Sequence, residues 1–593
     1  MTTTTRALKG GEFIIRDTDP KETFIPEDFN EDQRMVRQMC KDFVAEMGEQ
    51  AHVLEAQVAL MEKAGQLGLL GAHMPEKFGG TPLDTNSNTL IGEELGKAGG
   101  SFDTSYAAHI GIGMLPILYF GTEEQKQRYL PGLCSGDLKA AYCLTEPESG
   151  SDALAAKTRA DLSDDSKQYI INGQKMWISN AGFADVFIVF AKIGGEQFTG
   201  FIVDAHSQGI TLGEEEKKLG IKGSSTRQVF FENVAVPAEN VLYKIGQGHH
   251  IAFNALNIGR FKLGTMAMGG SKRVLDISVK YANARHQFGQ PISSFGAIKH
   301  KLGEMACLIF AIESASYRLS DLMSDHKDEL TESGSTFESA MLDSAKEYAS
   351  ECAIIKIAGS EYLDYIVDEM VQIHGGNGYS EEYPTARAYR DQRINRIYEG
   401  TNEINRLLLV DRIIKKALKG ELDLINPAWA VQKELMAMPG KSADEGPWAL
   451  ESQAVQHFKK TMLLVAGAAV KYQMDGKHDL NHQQEVVMHI ADIGIDTFIA
   501  ESLLLRARKL SIGNYHYPQD VVKAITQLFI NEAQSRIQKH ATDALMAFAG
   551  GDELIIMLKG VKRFSSYPAA NSVLARRIIA DHLITADTYS LDF

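Results

Sequence analysis

The spacing of apolar positions changes character twice along the chain, and the changes divide it. From Asn30 apolar residues recur every three or four positions: Val36, Met39, Phe43 and Met47 share one helical face, and Asn30 with Gln33 makes a capping-box pattern. Helical stretches continue through Ala56–Leu69, Ser87–Lys97 and Thr122–Leu130, with punctuation such as Lys77–Pro82 between them. Residues 30–140 therefore read as an α domain, preceded at 1–29 by a polar, irregular arm expected to lie on the surface. Over 141–246 the pattern shortens to β-branched and aromatic runs: Tyr169–Ile171, Lys175–Ile178, Val186–Ala191, Phe198–Val203, Ile210–Leu212 and Val229–Val236, with Asn172–Gly173 expected as a turn. This predicts a compact β domain, a small sandwich or barrel. Over 247–420 the helical period returns in Ile251–Ala284, Ser294–Asp325, Ser335–Ala358 and Glu361–His374, lengths that suit a four-helix bundle. Leu256, Leu263, Met266 and Met268 read as its apolar seam.

Residues 421–593 predict a further helical domain, entered through a flexible Pro439–Pro447 link. Val486, Ile490, Ile493, Thr497, Ala500 and Leu504 line one of its helices. Thr461–Val470 is apolar between lysines yet too short to span a membrane, and reads as a core helix in preference to an interfacial one. The expected class is mainly α with a central β domain.

A length of 593 residues exceeds what one core can organise, so three or four structural units are expected. The net charge of −16 argues against a nucleic-acid partner, whose phosphates demand a basic face. Cys40, Cys134, Cys143, Cys307 and Cys352 are scattered and never form a CxxC pair, which suggests neither a disulfide framework nor a zinc site; no metal is expected. The N-terminus lacks the apolar core of a signal peptide, and a cytoplasmic location is expected.

Candidate chemistry gathers in three places. Residues 372–410 join a Gly-rich turn (Gly375, Gly376, Gly378) to a basic segment and then to Glu399, just ahead of a helix read from Ile404, Leu407, Leu408 and Ile414 with Thr401 as N-cap. A carboxylate there either complements the helix dipole or serves as a general base whose pKa burial raises; the segment alone leaves both readings open. YCLTEPESGSD (142–152) gives a loop with exposed hydroxyls and backbone N–H groups suited to a phosphate or a polar heterocycle edge. In KMWISN (175–180) strand alternation puts Trp177 and Ser179 on one side, able to cover a planar ring and bond its edge, or simply to sit half-buried in a β domain.

These segments, together with KLGIKGSSTRQVFFENVAVP (218–237), ARHQFGQPI (284–292), QIHGGNGY (372–379) and YEGTNEI (398–404), resemble in order and spacing the acyl-CoA dehydrogenase family over about residues 30–418. The helical region beyond is similar to the extension of the very-long-chain branch. The resemblance implies oxidation of an acyl-CoA at Cα–Cβ with FAD as cofactor, and it implies Glu399 as the base. Some relatives keep the base one position before an Arg of the bundle; here that Arg is Arg260, and Gly259 before it cannot serve. The same carry-over gives Tyr142, Leu144, Thr145, Gly150 and Ser151 to the flavin and ligand loop, and Trp177 with Ser179 to the isoalloxazine. Arg285, Gln287, Phe288, Gln372, Gly375 and Gly376 resemble residues that reach the FAD of a neighbouring subunit, which implies at least a homodimer. Thr401 and Glu403 match nucleotide contacts, Glu403 standing where some members carry Gln. Ser151, Arg260 and Gly400 fall beside the thioester or CoA. Ala107 is small where medium-chain relatives plug the acyl tunnel, while Asp103 departs from the long-chain pattern.

The implied reaction introduces a trans 2,3 double bond into a long-chain fatty acyl-CoA and passes the electrons to an electron-transferring flavoprotein. Two other expectations stand beside it: an acyl-CoA oxidase that uses oxygen, and an assembly or binding protein that keeps the fold. Peripheral contact of the C-terminal extension with the inner membrane face is left open.

Overall fold

The computed structural model describes residues 8–435 and 446–591, so most of the Pro439–Pro447 link lies outside the described residues. Among the described residues six α-helices precede the sheet: α1 (Glu31–Met47), α2 (Gln57–Gln66), α3 (Thr85–Gly96), α4 (Gly100–Ala107), α5 (Leu115–Phe120) and α6 (Glu123–Ser135). The capping box before α1 is present: Asn30 Oδ1 accepts from the Gln33 N–H at 2.9 Å and Gln33 Oε1 from the Asn30 N–H at 3.1 Å. Between α4 and α5 the chain widens into a π-helical turn, Ala108–Gly113. His109 locks it, Nε2 donating to Leu133 O at 2.9 Å while Nδ1 accepts from the Ala140 N–H at 3.1 Å.

The β region is one mixed sheet of β1 (Ala140–Cys143), β2 (Arg159–Leu162), β3 (Gln168–Ser179), β4 (Val186–Ile193), β5 (Gln197–Asp204), β6 (Ile210–Leu212), β7 (Thr226–Pro237) and β8 (Val241–Leu242). Strand order is β6-β7-β3-β2-β4-β5-β8, with β1 parallel to β4. Asn172–Gly173 is not a turn. β3 continues through it, pairing with the distant β7, and the two residues take up a register shift instead, where Asn172 Oδ1 accepts from the Asn233 N–H at 2.8 Å.

The bundle comprises α7 (Gly248–Ala284), α8 (Gly296–Glu332), α9 (Phe337–Glu347), α10 (Ala349–His374), α11 (Pro384–Gln392) and α12 (Asn402–Leu418). The helix break expected after Ala358 falls at Tyr348. Gly359 does not interrupt α10 because it is a packing contact: a Cβ there would meet Gly264 O of α7 at 2.8 Å, and one on Gly264 would meet Ile355 O at 2.5 Å. The glycines let the two helices close on each other.

Beyond the bundle lie α13 (Ile425–Leu435), α14 (Ala449–Met474), α15 (Gln484–Ile512), α16 (Gln519–Phe548), α17 (Gly551–Phe564) and α18 (Ser572–Ala586), of which α15, α16 and α18 pack on α8. Thr461–Val470 falls within α14, with Met462, Leu464 and Val465 buried in the core. The described part of the arm does not simply lie on the surface. Phe13, Ile14, Ile25 and Phe29 are buried, because between its polar residues these apolar side chains find the seam between bundle and extension. The arm's Glu27 meets Arg506 of α15 at 2.7 Å, and Arg506 meets Glu313 of α8 at 2.7 Å, all three side chains buried.

Candidate active site

Glu399 stands two residues before Thr401, the N-cap of α12, in the left-handed region at φ 59°. A non-glycine residue holds that conformation only where neighbours fix it. Here Arg260 Nε of α7 donates to Glu399 O at 3.2 Å, Lys356 Nζ of α10 to Gly400 O at 2.8 Å, and Asn405 Nδ2 to Gly400 O at 2.7 Å. Thr401 caps the helix as expected, accepting from the Ile404 N–H at 3.2 Å. Three helices thus aim one carboxyl.

That carboxyl borders a cavity lined by Ala107, Ala108, Ile112, Ser179, Leu263 and Tyr398, among others. Oε2 is shut from solvent and no group among the described residues hydrogen-bonds to it. Burial pushes Glu399 up to about 7, against the pull of the Arg260 and Lys356 charges. The Glu399 backbone N–H likewise has no acceptor among the described residues, so it is a donor held beside the cavity.

Gly259 shares this wall. A Cβ added there would lie 2.6 Å from Glu399 Oε2, so position 259 must be empty of side chain for the carboxyl to sit where it does. Gly259→Ala displaces only the tip of a flexible side chain, which the fold tolerates, but that tip is the carboxyl expected to act as the base. We expect kcat/KM to fall about 100-fold with flavin content unchanged, an effect of the size that misplacing a catalytic group by an ångström produces. Undiminished turnover would show that the carboxyl's position is not critical.

The structure sorts the sequence-derived residues into two groups. Tyr142, Ser179, Arg260 and Gly400 gather about Glu399. Tyr142 is buried with its hydroxyl unpartnered, its pKa raised by burial and by the Glu399 charge. The 144–151 loop is held from beneath: Lys175 Nζ donates to Leu144 O at 3.2 Å and pairs with Glu146 at 2.7 Å, and the Met176 N–H donates to Thr145 O at 2.9 Å. Gly150 has open space where a Cβ would stand, and Ser151 is exposed. Trp177 lies on β3 at φ 60° with 53% of its surface exposed, while Ile178 between it and Ser179 is buried.

The second group sits at the other end of the bundle, where Tyr281 of α7 stacks on His374 of α10 at 3.9 Å. Arg285, Gln287, Gln372, Gly375 and Gly376 are exposed there, and Phe288 is 91% exposed at φ 53°. From Arg260 to Arg285 is about 37 Å at the helical rise of ~1.5 Å per residue. Within one chain the two groups do not meet. Thr401 and Glu403 open α12 near Glu399; Glu403 is exposed, its pKa lowered first by its own backbone N–H.

Sequence reasoning gave Arg260 to the ligand, but its guanidinium is buried and engaged, Nη1 on Asn257 at 2.8 Å and Nε on Glu399 O. It also missed Lys356 and Asn405. A lone lysine inside the apolar run CAIIKIAG was the available signal, since a charge buried in a helix implies a partner. Among the described residues no group of three or more His, Cys, Asp or Glu is placed to hold a metal ion.

These residues fit a flavin: an unpartnered buried Tyr142 hydroxyl and an unpartnered Glu399 oxygen face the site, Trp177 offers an exposed ring, and Gly150 leaves the loop open for close approach.

Comparison with known proteins bears on the same residues. Models of the acyl-CoA dehydrogenase N-terminal, middle and C-terminal domains match residues 30–137, 141–234 and 246–414, and a further C-terminal domain model matches 457–563. A probable acyl-CoA dehydrogenase of Bacillus subtilis (strain 168) is 45% identical over 591 residues, 98% of each chain. The very long-chain specific mitochondrial acyl-CoA dehydrogenase of Bos taurus is 34% identical over 85% of this chain and 77% of its own. The crystal structure of an acyl-CoA dehydrogenase complexed with FAD from Bacillus anthracis superposes with a TM-score of 0.95 at 45% identity, covering 98% of this chain and all of that one.

Proposed function

The chain belongs to the acyl-CoA dehydrogenase family, FAD-dependent oxidoreductases acting on CH–CH bonds, and from that premise we propose that it desaturates long-chain fatty acyl-CoA with Glu399 as its base. The observation that carries the reading is the buried, unpartnered Glu399 oxygen beside a cavity that Ala107, Ala108, Ile112, Leu263 and Met266 help to line.

The α-proton of a thioester is weakly acidic, so its removal needs a base near neutral pKa and donors for the charge that develops on the carbonyl oxygen. Glu399 meets the first requirement by burial. Its free backbone N–H meets part of the second. Arg260, Lys356 and Asn405 fix the backbone that carries both by holding the carbonyls of Glu399 and Gly400. FAD, when bound, supplies the acceptor for the hydride that leaves Cβ; Tyr142, the 144–151 loop, Trp177, Ser179 and Thr401 would hold it, and closing the cavity with these groups excludes water. The second, exposed group at Arg285 and Gly375 supports a homodimer in which each chain completes its partner's FAD site, because about 37 Å of helix separates it from Arg260.

Two adjoining cavities support the substrate class. The cavity at Glu399 shares Asp103, Met266, Ala267 and Asn395 with a further cavity walled by Ile277, Val367 and Met370. Asp103 stands between them, and burial beside Asp391 raises its carboxyl to about 8, so it presents a neutral wall at pH 7.

Anaerobic bleaching of bound flavin across acyl-CoAs from butanoyl to icosanoyl tests this. The fastest bleaching is expected with long saturated chains, followed by rapid reoxidation with an electron-transferring flavoprotein and slow reaction with air. A butanoyl optimum would remove the long-chain reading, and rapid peroxide formation would replace dehydrogenase by oxidase. Among the described residues no helix is long and apolar enough to cross a membrane.

A further inference from the structure

A second cavity lies across a shared wall from the catalytic one. It runs between α3, α5, α7 and α9, and Lys262 of α7 lines both cavities. Its body is apolar, with Leu83, Leu115, Ile258, Phe261, Met323 and Met341 on its walls. Thr85, Asn88, Thr89, Thr265, Lys327 and Ser344 also line it, but three polar atoms stand apart: Lys262 Nζ, Tyr119 Oη and His73 Nδ1 are each sealed from solvent, and none has a hydrogen-bond partner among the described residues. His73 is only 5% exposed, and its Nε2 lies 3.1 Å from Ile110 O. Because a carbonyl only accepts, Nε2 carries the proton and Nδ1 is a bare acceptor.

Such a cluster is costly unless something pairs with it. A buried polar group without a partner is unfavourable, and a buried ammonium more so. Burial brings Lys262 down to about 7, and the Lys262 charge in turn helps to hold His73 neutral. Arg260 and Lys356 nearby are both engaged by protein acceptors, so Lys262 is the contrast: a cation on the same bundle with no anion of the protein hydrogen-bonded to it. A carboxylate would satisfy it, accepting from the ammonium and from the Tyr119 hydroxyl, while His73 Nδ1 can take another N–H of the same ammonium. The apolar walls suit a hydrocarbon body behind that carboxylate.

We propose that this second cavity binds the carboxylate of an acid with an apolar body, Lys262 and Tyr119 donating to it and His73 completing the polar wall. The carboxylate has two chemical sources, a free fatty acid or the ω-carboxyl end of an acyl thioester whose chain passes the shared wall at Lys262. The second source rests on the acyl-CoA reading; the first does not.

The test uses the FAD-loaded full chain, wild type, Lys262→Met and Tyr119→Phe. Methionine matches the lysine stem without its charge, and both variants remove an unpartnered polar atom from the interior, so folding is retained. Calorimetric titration with dodecanoate should show binding that each variant weakens at least tenfold, which assigns the free acid. If dodecanoate instead binds all three alike, a higher kcat/KM for ω-carboxydodecanoyl-CoA than for dodecanoyl-CoA, with that preference reduced at least tenfold in both variants, assigns the ω end. Should neither probe distinguish the variants from wild type, the site is overturned. Failure of dodecanoyl-CoA itself to bleach the flavin would count against the dehydrogenase reading alone, leaving the dodecanoate titration to judge the cavity.

Discussion

Replacing Glu399 by Gln is expected to slow anaerobic flavin bleaching by about 10²- to 10⁴-fold, the range that a positioned general base contributes. Glutamine fills the same space and leaves the contacts to the backbone carbonyls of Glu399 and Gly400 in place, so FAD content and acyl-CoA binding should persist while proton abstraction fails. The pH profile supplies an independent reading. Glu399 acts only when ionised, and its pKa is raised to about 7, so wild-type kcat/KM should be level above pH 7 and fall about tenfold per unit below it. The residual activity of Glu399→Gln should lack that acid limb. A variant that oxidises substrate undiminished, or a wild-type profile flat down to pH 5, would remove Glu399 from the role.

Arg506→Met should be the most destabilising of the single changes considered, at about 3–5 kcal/mol, because it leaves buried carboxylates without their cation. Arg506 is fully buried over the Phe310 ring at 3.8 Å and binds Glu27 of the arm and Glu313 of α8. Glu313 keeps Lys272 as a partner, and Lys272 also pairs with Glu93 at 2.6 Å, so the larger loss falls on Glu27. The arm should release from the seam. Differential scanning of the flavin-loaded protein should show a lowered transition, and adding Glu27→Met should recover part of the loss by removing the stranded charge. An unchanged transition, or a double variant less stable than Arg506→Met alone, would show that the network does not bind arm, bundle and extension together.

Much of the fold follows from local pattern. The capping box at Asn30, the cap at Thr401, the short β runs and the long helices all reflect preferences that act within a few residues, and period and capping chemistry read them directly. The errors share a cause. Asn172–Gly173 has turn chemistry, but a strand's path is decided by its partner, and β7 lies more than fifty residues away in sequence. Gly359 looks like a breaker until the crossing of α7 over α10 makes a small residue necessary. The arm looks like a solvated tail because its apolar residues are few; only the seam between bundle and extension shows where they go.

The active site divides in the same way. From sequence alone, Glu399 was a carboxylate ahead of a helix, read first as complementing the helix dipole and only then as a possible base, and it was the family motifs that favoured the base. Gly259 was already visible as a position without a side chain. What tertiary structure decided is the carboxyl's environment: its pKa rises because α7, α10 and α12 converge to exclude water, and it points into the cavity because Arg260, Lys356 and Asn405 grip the carbonyls of a left-handed backbone. Those three residues lie as far as 145 positions apart in the sequence. No local preference encodes burial or a hydrogen bond at such separation, since both arise only when the helices pack.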